Sequence, residues 1–384
     1  MKETVQQLDD VLAKCKVHFC LVSEQAAVNL LPVAYYRPKE AVLFVSHKMH
    51  ETADQLQGAM EKAVPGIKVS RIAIQDPYDL NECRNVFLEA LMVREDDQPV
   101  INVTGGTKIM AIGAVTAAYA AMVQTFYLNE QKNTISLIDP YKENAQRNVS
   151  SIAMRMNLET YLAAYGFKVA DSNPTGSLNS KEQSLVVELL SMPSMKEVVP
   201  RLNELAVEAE KSKSMTVSSA SVSDDLMQAF DTLCDRFESA GHLQVNGRAL
   251  RFPTENDRFF VAGGWLERYV FNELSALNVK PVGNLVVRNP SQNELDAAFM
   301  HDGTFYIVEC KTGNLYHDLE KAKEVVYKLE TLSKVGGRKT RLVLVSYREL
   351  HPKAKERALK ANIKVIEGPE VRRFREIMKG LISQ

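Results

Sequence analysis

Long apolar runs are missing from this chain of 384 residues. No stretch reaches the roughly eighteen consecutive apolar residues that a membrane-spanning helix needs. The opening Met1-Lys2-Glu3-Thr4 lacks the apolar core of a secretory signal, so a cytoplasmic protein without membrane contact is expected. Cysteine is sparse: the five thiols, at 15, 20, 83, 234 and 310, include no CxxC pair, which argues against a disulfide or zinc framework. Neither GxxxxGK[ST] nor GxGxxG occurs, so a P-loop and a dinucleotide fingerprint are both excluded. Repeats and heptads are absent, and Trp265 is the only tryptophan.

The overall charge is close to balanced, with 47 Lys and Arg against 48 Asp and Glu. Its distribution is not. Residues 311–384 hold 18 Lys and Arg against 9 Asp and Glu. A basic C-terminal segment suits a polyanionic partner, although solvated helix faces produce the same count.

Residues 16–140 alternate strand and helix. Apolar strands are expected near 17–22, 41–45, 68–74 and 99–103, with helices at 26–35, 51–63, 80–93 and 109–122, and closing strands at 124–128 and 134–138. Largely apolar strands alternating with helices predict an α/β, Rossmann-like domain with a mostly parallel sheet. Ligands bind such folds at the carboxyl ends of the strands. The fourth strand ends in Val103-Thr104-Gly105-Gly106-Thr107-Lys108. Paired glycines let backbone amides approach a ligand, and the following helix aims its positive dipole end at the same place. Ser23 and Ser46, after the first two strands, open onto this edge. The segment is an anion pocket in chemical terms, or else a plain strand-to-helix turn.

The C-terminal third carries Asn293-Glu294-Leu295-Asp296 and then Val308-Glu309-Cys310-Lys311. Strand alternation puts Glu309 and Lys311 on one face and the Cys310 side chain on the other. Asp296, on a preceding strand, supplies a second carboxylate. Charges at the end of a buried strand are costly without a partner or a metal. Upstream, Gly264 to Leu274 reads as an amphipathic helix in which Glu267, Val270, Phe271 and Leu274 share a face. Glu267 is either a helix-start charge or an inward-facing site residue. A surface hairpin with an Asp296–Lys311 salt bridge is the plain alternative.

The helix with Glu267, then Asp296, then Glu309 and Lys311 resemble the PD-(D/E)XK nucleases, a restriction-endonuclease-like α/β fold. Leu295 stands where the family's usual proline would precede the aspartate. A helix over 319–332 and a strand over 341–346 would complete the core. The glycine loop on a Rossmann-like domain is similar to the CARF domain, the sensor of cyclic oligoadenylates in type III CRISPR defence. Joined to a domain with Gly263-Gly264-Trp265-Leu266-Glu267 and Glu309-Cys310-Lys311, it resembles the ancillary nucleases activated by cyclic tetra-adenylate.

That resemblance implies a homodimer in which two sensor domains enclose one ring of four adenylates. Thr104, Gly105, Gly106, Thr107, Lys108, Ser23 and Ser46 are then candidate ligand contacts. It also implies that Asp296, Glu309 and the Cys310 backbone carbonyl hold Mg²⁺ or Mn²⁺, oxygen donors that suit hard ions, that Glu267 binds a second metal or a metal water or positions Lys311, and that Lys311 acts on the scissile phosphate. Glu267, Asp296, Glu309 and Lys311 are the expected catalytic set, acting on DNA or single-stranded RNA. Filling the sensor is expected to rotate the dimer halves.

The expected domains are a sensor at 1–150, a linker and winged-helix-like spacer at 151–255, and the nuclease at 256–384. Residues 147–180 read as the linker, loosest at 172–177, and the Ser-rich 212–223 as a mobile loop. Lys321, Lys323, Lys328, Arg338, Lys339 and Arg341 are placed along the nucleic-acid path. Two alternatives remain open: a ligand-sensing transcriptional regulator that reads DNA through the middle segment, and a sensor that also hydrolyses its ring.

Overall fold

The computed structural model describes residues 11–130, 132–140, 146–148, 156–172, 176–192 and 194–383. Of the expected linker, residues 149–155 and 173–175 lie outside the described residues.

The N-terminal sheet has seven strands in the order β3-β2-β1-β4-β5-β6-β7. They are β1 Val17–Leu21, β2 Glu40–Ser46, β3 Lys68–Ile74, β4 Pro99–Asn102, β5 Thr125–Asn129, β6 Thr134–Ile138 and β7 Gln146–Asn148. The first five in the chain are parallel neighbours and the last two pair antiparallel. Strand order reverses between β1 and β4, the switch point where such sheets bind ligands. All residues of β1 and β4 are buried, because helices cover both faces; this is why they read as unbroken apolar runs. The helices are Ala27–Tyr36, His50–Ala63, Leu80–Met92 and Lys108–Ala120. The last two touch closely: a Cβ at Gly113 would lie 2.8 Å from Cys83 Cβ.

The second large sheet has six strands, ordered β16-β15-β14-β13-β12-β8. Its centre is the antiparallel meander β12 Val282–Asn289, β13 Ser291–His301 and β14 Thr304–Lys311, extended in parallel by β15 Thr340–Ser346 and β16 Ile363–Glu367. Asp302 and Gly303 both take left-handed φ values, 44° and 67°, as a tight two-residue hairpin requires. The remaining edge is β8 Lys168–Ser172, antiparallel to β12. Part of the segment expected to be a linker is therefore a strand of this sheet. Just before it, Tyr161 is fully buried between the two sheets and donates its hydroxyl to the Gly336 carbonyl at 2.7 Å.

Between the sheets in sequence lie the helices Ser180–Ser191, Met195–Lys211 and Asp224–Ala240 and a small sheet of β9 Thr216–Ser218, β10 Gln244–Asn246 and β11 Ala249–Arg251. The helices share one core with the inner face of the second sheet. The 212–223 stretch is not a free loop: β9 pairs with β11, and Ser219 N donates to the Arg248 carbonyl at 2.8 Å. No helix among the described residues is long and apolar enough to cross a membrane.

Candidate active site and ligand pocket

β13 and β14 run side by side with Ala297 opposite Val308, which brings Asp296 beside the end of β14. Its Oδ2 accepts from Cys310 N at 2.7 Å. Glu309 is 0 % exposed, and its Oε1 accepts from Lys311 Nζ at 2.7 Å and Lys328 Nζ at 2.8 Å. Lys311 also donates to the Cys310 carbonyl at 2.9 Å and stands 3.7 Å from Asp296 Oδ2. Glu309 Oε2 is buried with no hydrogen-bond partner among the described residues.

Burial, then the neighbouring Asp296 charge, pushes the Glu267 carboxyl up to about 8. Burial, then Glu309, raises Asp296 to about 6. Burial alone would depress the Lys311 amine; Asp296 and Glu309 outweigh it and hold it above its ordinary value. The cluster is thus under-neutralised, with carboxyls kept partly protonated in the absence of another cation.

The structure brings Asp296, Glu309, the Cys310 carbonyl and Lys311 together and leaves Glu267 within electrostatic reach. Among the described residues, no three acidic, histidine or cysteine side chains already stand close enough to hold a metal. Lys311 takes up Glu309 Oε1 and the Cys310 carbonyl, two of the groups expected to bind one. The donor set nonetheless fits a hard divalent ion: oxygen atoms, excess negative charge and an unsatisfied Glu309 Oε2. The Cys310 thiol lies in the opposite core. Trp265 is fully buried edge-on to Tyr347, a packing role. Sequence reasoning placed Lys328 on a nucleic-acid path; the structure puts it on Glu309. Its signal was its place beside the buried Val325, Val326 and Leu329 of the Leu319–Leu332 helix.

At the carboxyl edge of the first sheet is a cavity of about 520 Å³, lined by Ser23, Ser46, Thr104, Gly106 and Thr107 among others. Gly105 and Lys108 are not in its wall. Gly105 is instead demanded by packing, since a Cβ there would lie 2.1 Å from the Leu21 carbonyl oxygen. The threonine hydroxyls hold the loop. Thr104 Oγ1 donates to Asn102 Oδ1 at 2.6 Å and accepts from Leu128 N at 2.8 Å. Thr107 Oγ1 donates to the Pro77 carbonyl at 2.6 Å and caps the Lys108–Ala120 helix through Met110 N at 3.0 Å. Lys48, which follows Ser46 onto this edge, also lines the cavity, as do Tyr78, Glu130 and Arg338, which the sequence pattern does not place there.

Residues 17–161 match the family profile described as the Card1 CARF domain, and residues 254–383 match that of the Card1-like endonuclease domain. The chain joins a CARF domain to a Card1-like endonuclease domain. Among solved structures, it is similar to Can2 from Sulfobacillus thermosulfidooxidans in complex with cyclic tetra-adenylate, at 22% identity over 98% of this chain and 99% of that one, TM-score 0.77. VC1899 from Vibrio cholerae is similar at 18% identity over 96% and 98% of the two chains, TM-score 0.82. A type III CRISPR defence DNA nuclease activated by cyclic oligoadenylate is similar at 20% identity over 86% of this chain and 45% of that one, TM-score 0.53. At these identities the likenesses establish the fold. No curated relative matches by sequence. The cavity therefore belongs to the CARF domain, and the Asp296–Glu309–Lys311 cluster to the endonuclease domain.

Proposed function

We propose that this CARF endonuclease is a metal-dependent phosphodiesterase of type III CRISPR defence, working in the cytoplasm and switched on by cyclic tetra-adenylate in the CARF cavity. The observation that carries the reading is the buried Asp296–Glu309–Lys311 cluster at the end of β14, in a chain whose other end opens a cavity at a sheet switch point.

Asp296, Glu309 and the Cys310 carbonyl would hold Mg²⁺ or Mn²⁺, which supplies a water of lowered pKa and charge to offset the transition state. Lys311, held protonated by its two carboxylates, faces the scissile phosphate and stabilises its developing charge. Glu267, whose carboxyl is raised by burial and by Asp296 in the metal-free protein, would bind a second ion or a metal water, or position Lys311. Lys328 neutralises Glu309 in the resting form.

A cavity of about 520 Å³ is in the range that encloses one drug-sized ligand. A ring of four nucleotides needs two such cavities facing each other. The surface beside it favours that pairing. Tyr78, on the cavity wall, is 73 % exposed, and Ile112 and Tyr119, seven positions apart on one helix face, are 51 % and 47 % exposed. Two copies burying this patch form an isologous homodimer around a two-fold symmetric ligand. The CARF sensor, the helical spacer and the endonuclease then divide the chain near 150 and 255, with β8 serving the nuclease sheet from outside its bounds.

The regulator alternative is disfavoured by the Asp224–Ala240 helix, which directly precedes the β10–β11 hairpin. It exposes Asp224, Asp225, Asp231, Asp235 and Glu238 beside Arg236, and that charge repels a phosphate backbone. The test is a cleavage panel of plasmid, linear duplex, single-stranded DNA and single-stranded RNA, with and without cyclic tetra-adenylate and Mn²⁺. Cleavage dependent on both additives supports the proposal; no cleavage of any substrate with both present removes it.

A further inference from the structure

We propose that Arg338, a residue of the endonuclease domain, completes the CARF cavity as a direct contact to a phosphodiester of the bound ligand. This rests on the reading of the cavity as a nucleotide-ring site. Arg338 lies in the Ser333–Lys339 turn, between the Leu319–Leu332 helix and β15, yet it lines the cavity more than three hundred positions after Ser23. Its backbone N–H donates to Gln25 Oε1 at 3.0 Å, which fixes the turn against the cavity rim. The turn is pinned from behind as well. A Cβ at Gly336 would lie 2.4 Å from the Phe305 ring, and one at Gly337, whose φ is +68°, 2.5 Å from Tyr165 Oη. The Arg338 side chain is exposed and makes no ion pair among the described residues.

Charge decides what the cavity can hold. Among the described residues its lining carries two acids, Glu24 and Glu130, and two cations, Lys48 and Arg338. Without Arg338 these acids outnumber the cations, which disfavours a polyanion. Burial raises the Glu130 carboxyl, and Lys339 and Arg338 counter that rise. A guanidinium with no ion-pair partner among the described residues, beside a cavity closed by a helix N-terminus, is the donor that a phosphate oxygen pair matches.

The placement also links the two domains. The Arg338 turn continues the helix that carries Lys328, whose amine is on Glu309 Oε1 at 2.8 Å, and it leads into β15, the direct neighbour of β14. A ligand that holds Arg338 therefore acts on the segment that touches the catalytic carboxylate.

The test is calorimetric binding of cyclic tetra-adenylate to the full chain across a salt series, for wild type, Arg338→Gln and Lys334→Ala. Lys334 lies in the same turn and outside the cavity wall. Thermal unfolding of each protein checks that it is folded. The expected result for Arg338→Gln is a Kd at least tenfold weaker, about 1.4 kcal/mol, with a shallower fall of log K against log salt than wild type shows. Lys334→Ala should bind like wild type. Equal affinity and slope for Arg338→Gln overturn the proposal and leave the cavity reading intact. So does a weaker Kd with an unchanged slope, which assigns Arg338 to packing, or equal weakening in Lys334→Ala, which assigns the effect to diffuse charge. If wild type itself does not bind the ring, the cavity reading fails and the Arg338 proposal falls with it.

Discussion

Replacing Asp296 with asparagine separates the chemistry of the cluster from its cost. In the metal-free protein the carboxyl is displaced from its ordinary 3.8 to about 6 by burial and by Glu309, equivalent to about 3 kcal/mol against ionising it in place. The folded pKa lies above the unfolded one, so the group's contribution to stability is complete below about pH 4 and is lost as pH rises through 6. Asparagine carries no charge, and its amide oxygen can keep the bond from Cys310 N now made at 2.7 Å. In EDTA at pH 7.5, Asp296→Asn should therefore unfold no earlier than wild type, with a gain of up to about 3 kcal/mol that vanishes near pH 4. Mn²⁺ should close that gap. At one hundred times its Kd, the ion stabilises the wild type by about 2.7 kcal/mol, a rise of roughly 5–10 °C for a domain of this size, and the variant much less. Urea and thermal unfolding of both proteins, with EDTA and with Mn²⁺, measure this directly. A variant several kcal/mol weaker than wild type in EDTA, or one gaining as much from Mn²⁺, refutes the reasoning.

Gly105→Ala should abolish tight ligand binding, because the added methyl meets the Leu21 carbonyl at 2.1 Å and backbone cannot yield cheaply; the expected cost is about 1–3 kcal/mol in unfolding experiments, and wild-type affinity in this variant would contradict the packing argument. Ile112→Asp, at a 51 % exposed site, should shift the protein toward monomer in light scattering and weaken ring binding, whereas an unchanged dimer would place the interface elsewhere. Lys339 is buried, and burial lowers its amine from 10.5 to about 8. The folded state therefore releases this proton first, and wild-type stability should rise between about pH 8 and 10 by at most about 3 kcal/mol. Lys339→Gln should lose that rise, and identical pH slopes in urea unfolding would show the amine to be unperturbed.

The sensor sheet was legible because β1 and β4 are buried on both faces, so burial wrote itself as continuous apolar runs. The β14 strand was legible for a different reason: period-two alternation alone puts Glu309 and Lys311 together and turns Cys310 into the core. β8 was missed because an edge strand meets few packing demands, so Lys168–Ser172 carries little apolar signal. The Ser-rich stretch was misread because β9 gains its order from β11, about thirty residues later in the chain, and from Ser219 bonding Arg248. Lys328 and Arg338 were both assigned to a nucleic-acid track on charge alone. Their actual neighbours, Glu309 and the CARF cavity, are fixed by how a helix and its following turn pack between two sheets, and no local spacing records that. In the glycine loop, Gly105 serves close packing, Thr104 and Thr107 hold the loop by hydrogen bonds while lining the cavity, and Lys108 lies outside the cavity wall.

The most direct measurement is the rate of substrate cleavage by wild type and Glu309→Gln, titrated with cyclic tetra-adenylate at fixed Mn²⁺. The account requires a wild-type rate that rises with the ring and saturates, and a variant that binds the ring normally yet cuts at least a hundredfold more slowly at saturation. Equal cutting by the two proteins would place the chemistry away from the end of β14 and contradict the central claim.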